Sequence, residues 1–371
     1  MSNLSKKEFT QDLSKLVSFE TLTSNAEQNK KAFDFIVSKI NSKAIVKRLV
    51  NNESEILIAS NNNKNNPDVC FLVHVDVVAG RPDQFSIKVK DNVAYGRGVS
   101  DMKFSIPIGY SLLNEMIEQK SKLTFSLIVT SDEETGGFNG AQFLAKKYGL
   151  KPKILIVPDG GDDLIFVNKS KGVCQLQITS CGRPAHSSRI WEGRNAVEPI
   201  IRLCNELLKR YGQNNKKETW NTTFNISKIN GGISTNQVCD KAEVSFDFRF
   251  PEDTSYKEIK NEVSIIAKEI SSDLSVKLLS YGNPTFVEEK NETVILFVKA
   301  FVENFKKQIK IAGTHGASDA RHFTSLNIPI LMIKPIGGDI HGENEHINID
   351  SCITYYSALK SFMRKLEYPE N

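Results

Sequence analysis

A chain of 371 residues is long enough for two domains, and a content of 40% hydrophobic and 25% charged residues is typical of a folded protein. The net charge of +4 is small and the charges are interspersed, so composition does not indicate nucleic-acid binding. The polar start is not a secretory signal and no apolar run reaches transmembrane length, so we expect a cytoplasmic protein that does not bind membranes. Six cysteines without a CxxC pair predict small buried side chains in a reducing compartment.

Helical and strand patterns alternate through the first part of the chain. Helical spacing over 5–17 and 27–40 is followed by strand patterns in AIVKRLV, SEILIAS and DVCFLVHVDVV. A hairpin pattern in FSIKVKDNVAYGRG, an amphipathic helix over 104–118 and the apolar run KLTFSLIVT come next. This alternation predicts an α/β domain in which a mostly parallel sheet is sandwiched by helices.

The pattern changes near Gly172. From there the chain reads strand, helix, strand, strand, helix, strand, with helices over 196–211 and 256–271, which is the order of a split βαβ unit. After Pro284 a helix, the buried strand IPILMIKPI and a final helix over 353–366 follow. We therefore predict a discontinuous catalytic domain, 1–171 plus 283–371, with an inserted α+β lid domain, 172–282.

The first candidate site residues lie at the end of a buried strand, in HVDVV. His74 and Asp76 are two residues apart, so their side chains project to the same face of the strand. Asp76 can accept the proton of one ring nitrogen while the other nitrogen binds a metal. A hydrogen bond between His74 and Asp76 with only a structural role would give the same sequence pattern.

Acidic residues next to glycine turns extend this set. Asp101, in YGRGVSDMK, could cap a helix or bring its carboxylate to two cations. VTSDEETGG holds Glu133 and Glu134 side by side at a strand end, which is tolerable if a cation neutralises one of them. We assign Glu134 to the metal and Glu133 to proton transfer, since adjacent residues at a strand end point in different directions. Asp159, in ILIVPDGG, likewise follows an apolar run and precedes two glycines.

Two histidines follow the last buried strand, in IHGENEH. We assign His341 as a ligand and His346 as a structural residue, because a spacing of five does not place both on one helix face. The complete ligand set suits zinc or its borderline neighbours cobalt and manganese, and a shared carboxylate would hold two ions about 3.5 to 4 Å apart. The predicted ligands are His74, Asp101, Glu134, Asp159 and His341.

In the order of its motifs the chain resembles the dizinc metallopeptidases and deacylases that include succinyl-diaminopimelate desuccinylase, acetylornithine deacetylase, aminoacylase and glutamate carboxypeptidase. The resemblance spans nearly the whole chain and rests on HVDVV, GRGVSDMK, SDEETGG, GRPAHSS, GGISTNQV, FDFR and HGASDARHF. It implies that His74 and Asp159 complete one metal site, that Glu134 and His341 complete the other, and that Asp101 bridges them.

The resemblance also implies roles for residues that bind no metal. Asp76 would orient His74, and Glu133 would be the general base and acid that deprotonates the attacking water. In the lid, His186 would help to bind the carbonyl oxygen of the substrate, while Asn236 and Arg249 would hold its carboxylate. Family members often dimerise through the lid, so a homodimer is expected, and His186 would act in its own subunit or in the partner's.

The implied reaction is metal-dependent hydrolysis of an amide bond in a small N-acyl amino acid with a free carboxylate. A dipeptidase, aminopeptidase or carboxypeptidase is the alternative, because desuccinylases usually carry Glu where this chain has Asp159, and Asp is typical of the peptidases. HGASDARHF, in contrast, resembles the desuccinylase branch. An inactive binding homologue remains the alternative from another class, whereas the lack of a GxGxxG turn after an early strand excludes a Rossmann oxidoreductase.

Overall fold

This computed structural model describes residues 4–369, and only the main chain of Asp162. The chain forms two compact units. The first comprises the chain up to Lys169, Phe286–Thr314 and the residues from Ser318 onward. The second comprises Ser170–Thr285 together with His315–Ala317.

Helices and strands alternate along both units. The helices are α1 (Lys6–Val17), α2 (Ala26–Lys39), α3 (Ser105–Glu118), α4 (Ala141–Phe143), α5 (Val197–Tyr211), α6 (Tyr256–Ile270), α7 (Glu292–Phe305) and α8 (Ile349–Glu367). The strands are β1 (Ile45–Asn51), β2 (Ser54–Ser60), β3 (Val69–His74), β4 (Lys88–Lys90), β5 (Val93–Tyr95), β6 (Phe125–Thr130), β7 (Ile154–Ile156), β8 (Phe166–Ser170), β9 (Gly172–Cys181), β10 (Thr223–Gly231), β11 (Lys241–Phe250), β12 (Leu274–Gly282), β13 (Thr285–Phe286), β14 (Ile311–Thr314), β15 (Ile330–Leu331), β16 (Gly337–Gly338) and β17 (His346–Asn348).

The first unit is built on a six-stranded sheet in the order β1-β2-β6-β3-β7-β15. Strands β6, β3, β7 and β15 are parallel to one another, and the hairpin β1-β2 joins them antiparallel. Alternate residues of β3 enter two apolar cores: Phe71 and Val73 face the core that includes α1, α3 and α8, and Cys70 and Leu72 face a smaller core on the opposite side. The prediction of a mostly parallel sheet covered on both faces is confirmed.

Two predicted elements of the first unit differ from the structure. Of the predicted strand IPILMIKPI, only Ile330–Leu331 forms a strand, paired with the three-residue strand β7, and Met332 adds an isolated bridge to Val167. The last helix begins at Ile349 instead of 353, since the side chain of Asn348 accepts a hydrogen bond from the Ser351 amide and caps the helix there.

The second unit contains an antiparallel sheet in the order β10-β11-β9-β12 with α5 and α6. Residues of β11 alternate in burial: Phe246, Phe248 and Phe250 are buried in the core shared with the two helices, while Asp247 and Arg249 are partly exposed. This alternation is expected of a sheet with one covered face.

The cysteines are free thiols, and the prediction that all six are buried is wrong at one position. Cys181 is exposed, because it is the last residue of β9 and lies where the strand leaves the core. No helix within residues 4–369 combines the length and the apolar character needed to span a membrane.

Candidate metal centre

Three of the predicted ligands follow adjacent parallel strands of the central sheet. His74 is the last residue of β3, Glu134 lies four residues after the end of β6, and Asp159 lies three residues after the end of β7. Because these strands are parallel neighbours, their carboxyl ends meet at one edge of the sheet, where open α/β sheets bind ligands. The sheet order therefore brings together side chains that are far apart in sequence.

The first group of ligand atoms belongs to His74, Asp101 and Asp159, and these atoms lie within 4.8 Å of one another. His74 Nε2 is 3.2 Å from Asp101 Oδ1. Its other ring nitrogen, Nδ1, lies 2.9 Å from the main-chain carbonyl oxygen of Asp76, to which it can only donate. In that tautomer the lone pair of Nε2 is available to a cation.

The second group is formed by Asp101, Glu134 and His341, again with ligand atoms within 4.8 Å of one another. His341 Nε2 is 3.1 Å from Asp101 Oδ2 and 3.3 Å from Glu134 Oε2. Asp101 thus belongs to both groups, with one carboxylate oxygen near each histidine. The helix that Asp101 could have capped begins only at Ser105, so Asp101 lies in the turn before it.

The electrostatics of the two groups favour positive charge. Burial, followed by the negative charge of Asp101, raises the pKa of Asp159 to about 6. Hydrogen bonds to Asp101 and Glu134 raise the pKa of His341 to about 10. Glu134 Oε1 is buried and has no hydrogen-bond partner among residues 4–369. A crowded set of imidazoles and carboxylates with an unpaired buried oxygen fits divalent cations of the zinc type.

Asp76 makes more contacts than its predicted role requires. Its carboxylate is 3.6 Å from His74 Nδ1, so the closer acceptor for that ring is the Asp76 carbonyl oxygen. The carboxylate instead accepts the amides of Glu133, at 3.2 Å, and Glu134, at 3.1 Å. Thr23 Oγ1 donates to the same carboxylate at 2.9 Å. Asp76 therefore ties the histidine to the turn that carries the two glutamates.

Glu133 precedes Glu134 in the chain, and its side chain is 12% exposed. Burial raises the pKa of its carboxyl well above the ordinary range. The Glu133 Oε1 atom is 3.9 Å from Nη1 of Arg321, a buried residue that has no role predicted from the sequence. Arg321 lies in HGASDARHF. It is 188 positions from Glu133 in sequence, so no local sequence pattern predicts that the two side chains are close.

His186 and Asn236 lie on neighbouring loops of the second unit. The His186 main chain pairs with that of Gln237, and the Ser187 amide donates to the Asn236 carbonyl oxygen at 3.0 Å. The Ser188 amide donates to His186 Nδ1 at 3.2 Å, so the proton of the neutral ring is on Nε2. Both predicted side chains are exposed.

Arg249 lies on the partly exposed face of the β11 sheet and already has an acidic partner. It donates to the Asp247 carboxylate through Nε, at 2.7 Å, and Nη2, at 3.2 Å. Arg249 also lines a cavity of about 430 Å³ within the second unit, together with Thr223 and Asn225. The Asp247 carboxylate accepts a further hydrogen bond from Gln175.

The sequence profile of peptidase family M20/M25/M40 matches residues 70–365. The chain belongs to this family. The match spans HVDVV, the two glutamates and IHGENEH, and M20 membership makes the chain a metallohydrolase that binds divalent metal.

Individual M20 relatives are distant in sequence but similar over most of their length. The chain is 26% identical to a succinyl-diaminopimelate desuccinylase of Wigglesworthia glossinidia brevipalpis over 319 residues, which are 80% of this chain and 83% of that protein. A tripeptidase from Staphylococcus aureus superposes with a TM-score of 0.76 at 19% identity, covering 99% of this chain and 100% of that one. An M20 metallo-carboxypeptidase from Sulfolobus solfataricus gives 0.79 at 15% identity, covering 96% and 98%. The structural likenesses establish the fold.

Proposed function

We propose that this metallohydrolase cleaves an amide bond in a small N-acyl amino acid that bears a free carboxylate, with two zinc ions as its cofactors. One observation carries the proposal: two ligand groups share Asp101, and Glu133 lies directly beside the ligand Glu134. The succinyl-diaminopimelate desuccinylase relatives act on substrates that their name describes in this way.

In this reaction some residues of the chain would bind the two ions and another would transfer the proton. His74, Asp101 and Asp159 would hold one ion, and Asp101, Glu134 and His341 the other. When bound, the ions supply Lewis acidity and lower the pKa of the attacking water. Glu133 accepts the proton of that water on its carboxylate and afterwards donates it to the leaving nitrogen.

The second unit supplies the substrate contacts in this proposal. His186 donates its Nε2 proton to the carbonyl oxygen on which negative charge develops, which is the task of an oxyanion-hole donor. Asn236 and Arg249 bind the free carboxylate, Arg249 through its planar guanidinium. These three assignments come from the resemblance of the motifs GRPAHSS, GGISTNQV and FDFR to those of the dizinc metallopeptidases and deacylases.

A peptidase acting on short peptides is the second candidate. It is favoured by Asp159, since Glu is usual at this position in desuccinylases, and by the full-length likeness to a tripeptidase and a dipeptidase. Both candidates use the same ligands and the same base. They differ in what occupies the acyl side of the bond.

We also propose that the protein is a homodimer joined through the second unit. Helix α5 exposes Ile201 and Leu208, which are seven residues apart and lie on one face of the helix. Ile229, in the edge strand β10, and Ile233 just after it are also exposed. An apolar helix face beside an edge strand is a surface that a second copy would cover.

A substrate panel tests the proposed function. Zinc-loaded protein is given N-succinyl and N-acetyl amino acids, including diaminopimelate and ornithine derivatives, together with di- and tripeptides, and amine release is measured. We expect selective turnover of an acyl amino acid. Selective turnover of peptides would establish the second candidate, and no turnover above that of Glu133→Ala would identify an inactive binding homologue.

Arg249→Ala is expected to raise KM for substrates with a free carboxylate by about 10- to 100-fold, the value of a charge-assisted hydrogen bond. Steady-state kinetics with a substrate and its carboxamide analogue would measure this, because the analogue should respond little. Asp247→Asn is the matched control, since it removes the competing acid and should lower KM. An Arg249 variant with unchanged KM but reduced thermal stability would mean that the arginine only pairs with Asp247.

A further inference from the structure

We propose that Arg97 and Glu345 form a positioning clamp, which holds the loop of Asp101 and the loop of His341 in the register that the two ions require. This inference rests on the proposed function of those two residues as ligands. The hydrogen bonds described for Arg97 and Glu345 join the two side chains to each other and to main-chain groups, so they would act on the ligands through the main chain. The two side chains are 4% and 1% exposed.

The Glu345 carboxylate accepts four hydrogen bonds from the loop that ends at Asp101. Its Oε2 accepts Arg97 Nη1 at 2.8 Å and the Gly98 amide at 2.9 Å. Its Oε1 accepts the Ser100 amide at 2.9 Å and the Asp101 amide itself at 3.1 Å. Buried charge is costly unless it is paired and hydrogen-bonded, and here every oxygen has two donors. The peptide group that carries Asp101 is therefore fixed by a residue 244 positions away.

Arg97 connects the same carboxylate to the second loop. Its Nη2 donates to the carbonyl oxygens of His341 and Gly342, both at 3.2 Å. The guanidinium is planar and rigid, so its bond to Glu345 and its bonds to the His341 loop have a fixed relative geometry. The paired strands β5 and β17 flank this contact and keep the two segments side by side.

The clamp explains how the loops of Asp101 and His341 can hold their ligand side chains close to each other. His341 is 49% exposed and has a φ of +63°, which few residues other than glycine adopt. Nevertheless its Nε2 lies 3.1 Å from Asp101 Oδ2. The hydrogen bonds from Arg97 to the carbonyl oxygens of His341 and Gly342 hold the main chain in this conformation. Residues that orient metal ligands commonly contribute 10- to 100-fold in metal affinity.

Two substitutions separate the two arms of the clamp. Glu345→Gln keeps the shape of the side chain but loses the charge and turns an acceptor into a donor that faces amides. Because Asp101 is shared, we expect both equivalents of zinc to bind about 10- to 100-fold more weakly. Arg97→Lys keeps the charge beside Glu345 but loses the donors to the His341 loop, so one equivalent should weaken and the other should not. Chelator competition gives both affinities, and cobalt absorption spectra report the ligand geometry.

Glu115→Gln is the matched control. Glu115 is also a buried carboxylate, paired with Lys360 and hydrogen-bonded by Tyr356, and its described partners include no proposed ligand. It should lower the melting temperature without changing zinc affinity. The proposal is overturned if Arg97→Lys and any folded Glu345→Gln protein bind both equivalents with wild-type affinity and spectrum. If Glu345→Gln does not fold, Arg97→Lys alone decides. A wild-type protein that binds fewer than two ions would instead contradict the proposed function.

Discussion

Replacing Glu133 with alanine should reduce kcat by about 10²- to 10⁴-fold while leaving two bound ions, because a general base contributes on this scale. Glu133 lies beside the ligand groups but is a member of neither. Within residues 4–369, the ion pair described for the Glu133 side chain is a long contact of 3.9 Å with Arg321. Truncation of the side chain should therefore lower the stability of the protein only slightly. Steady-state kinetics and metal analysis of the same preparation would measure both effects.

Glu134→Ala is the natural control for this experiment. The two residues are neighbours with amides held by the same Asp76 carboxylate, but only Glu134 contacts His341. The Glu134 variant should lose metal as well as activity, whereas the Glu133 variant should lose activity alone. Equal metal loss in both variants would make Glu133 a ligand, and an active Glu133 variant would place the base elsewhere in the chain.

The order of elements and the positions of the acids were predictable because both depend on local sequence. An apolar run such as KLTFSLIVT can be covered on both faces only in a buried strand, and β6 is buried at all of its positions. Once parallel strands are expected, the residues after their carboxyl ends are expected at one edge. His74, Glu134 and Asp159 could therefore be proposed together from the chain alone.

The residues that support these side chains could not be predicted in the same way. Arg97 and Glu345 lie inside quoted motifs, GRGVSDMK and HGENEH, but their ion pair joins positions 248 residues apart. A charged residue is ordinarily solvated, so nothing local indicates that Glu345 is 1% exposed. Asp76 shows the same limit, because its strand spacing predicts the contact with His74 but not the amides of the glutamate turn.

Replacing Asp101 with alanine should have the largest effect of any single ligand substitution. Asp101 belongs to both ligand groups, so its loss leaves two of three ligands in each. We expect less than one bound ion per chain and a loss of activity of about 10³-fold or more, since metal ions contribute several kcal/mol to stabilising charge in the transition state. Treatment of the wild-type protein with a chelator should have the same effect, and zinc or cobalt should reverse it.

Asp159→Ala and His341→Ala provide the comparison that makes the Asp101 result specific. Each removes a ligand from one group and leaves the other group complete, so each variant should retain about one ion. If Asp101→Ala retains two ions, the carboxylate does not bridge. If all three variants lose both ions, the two groups bind metal cooperatively, and the result does not distinguish Asp101 from the other ligands. A graded result, with one ion retained in the single-group variants and none with Asp101→Ala, is what a shared carboxylate requires, because no other residue belongs to both groups of ligand atoms identified among the described residues.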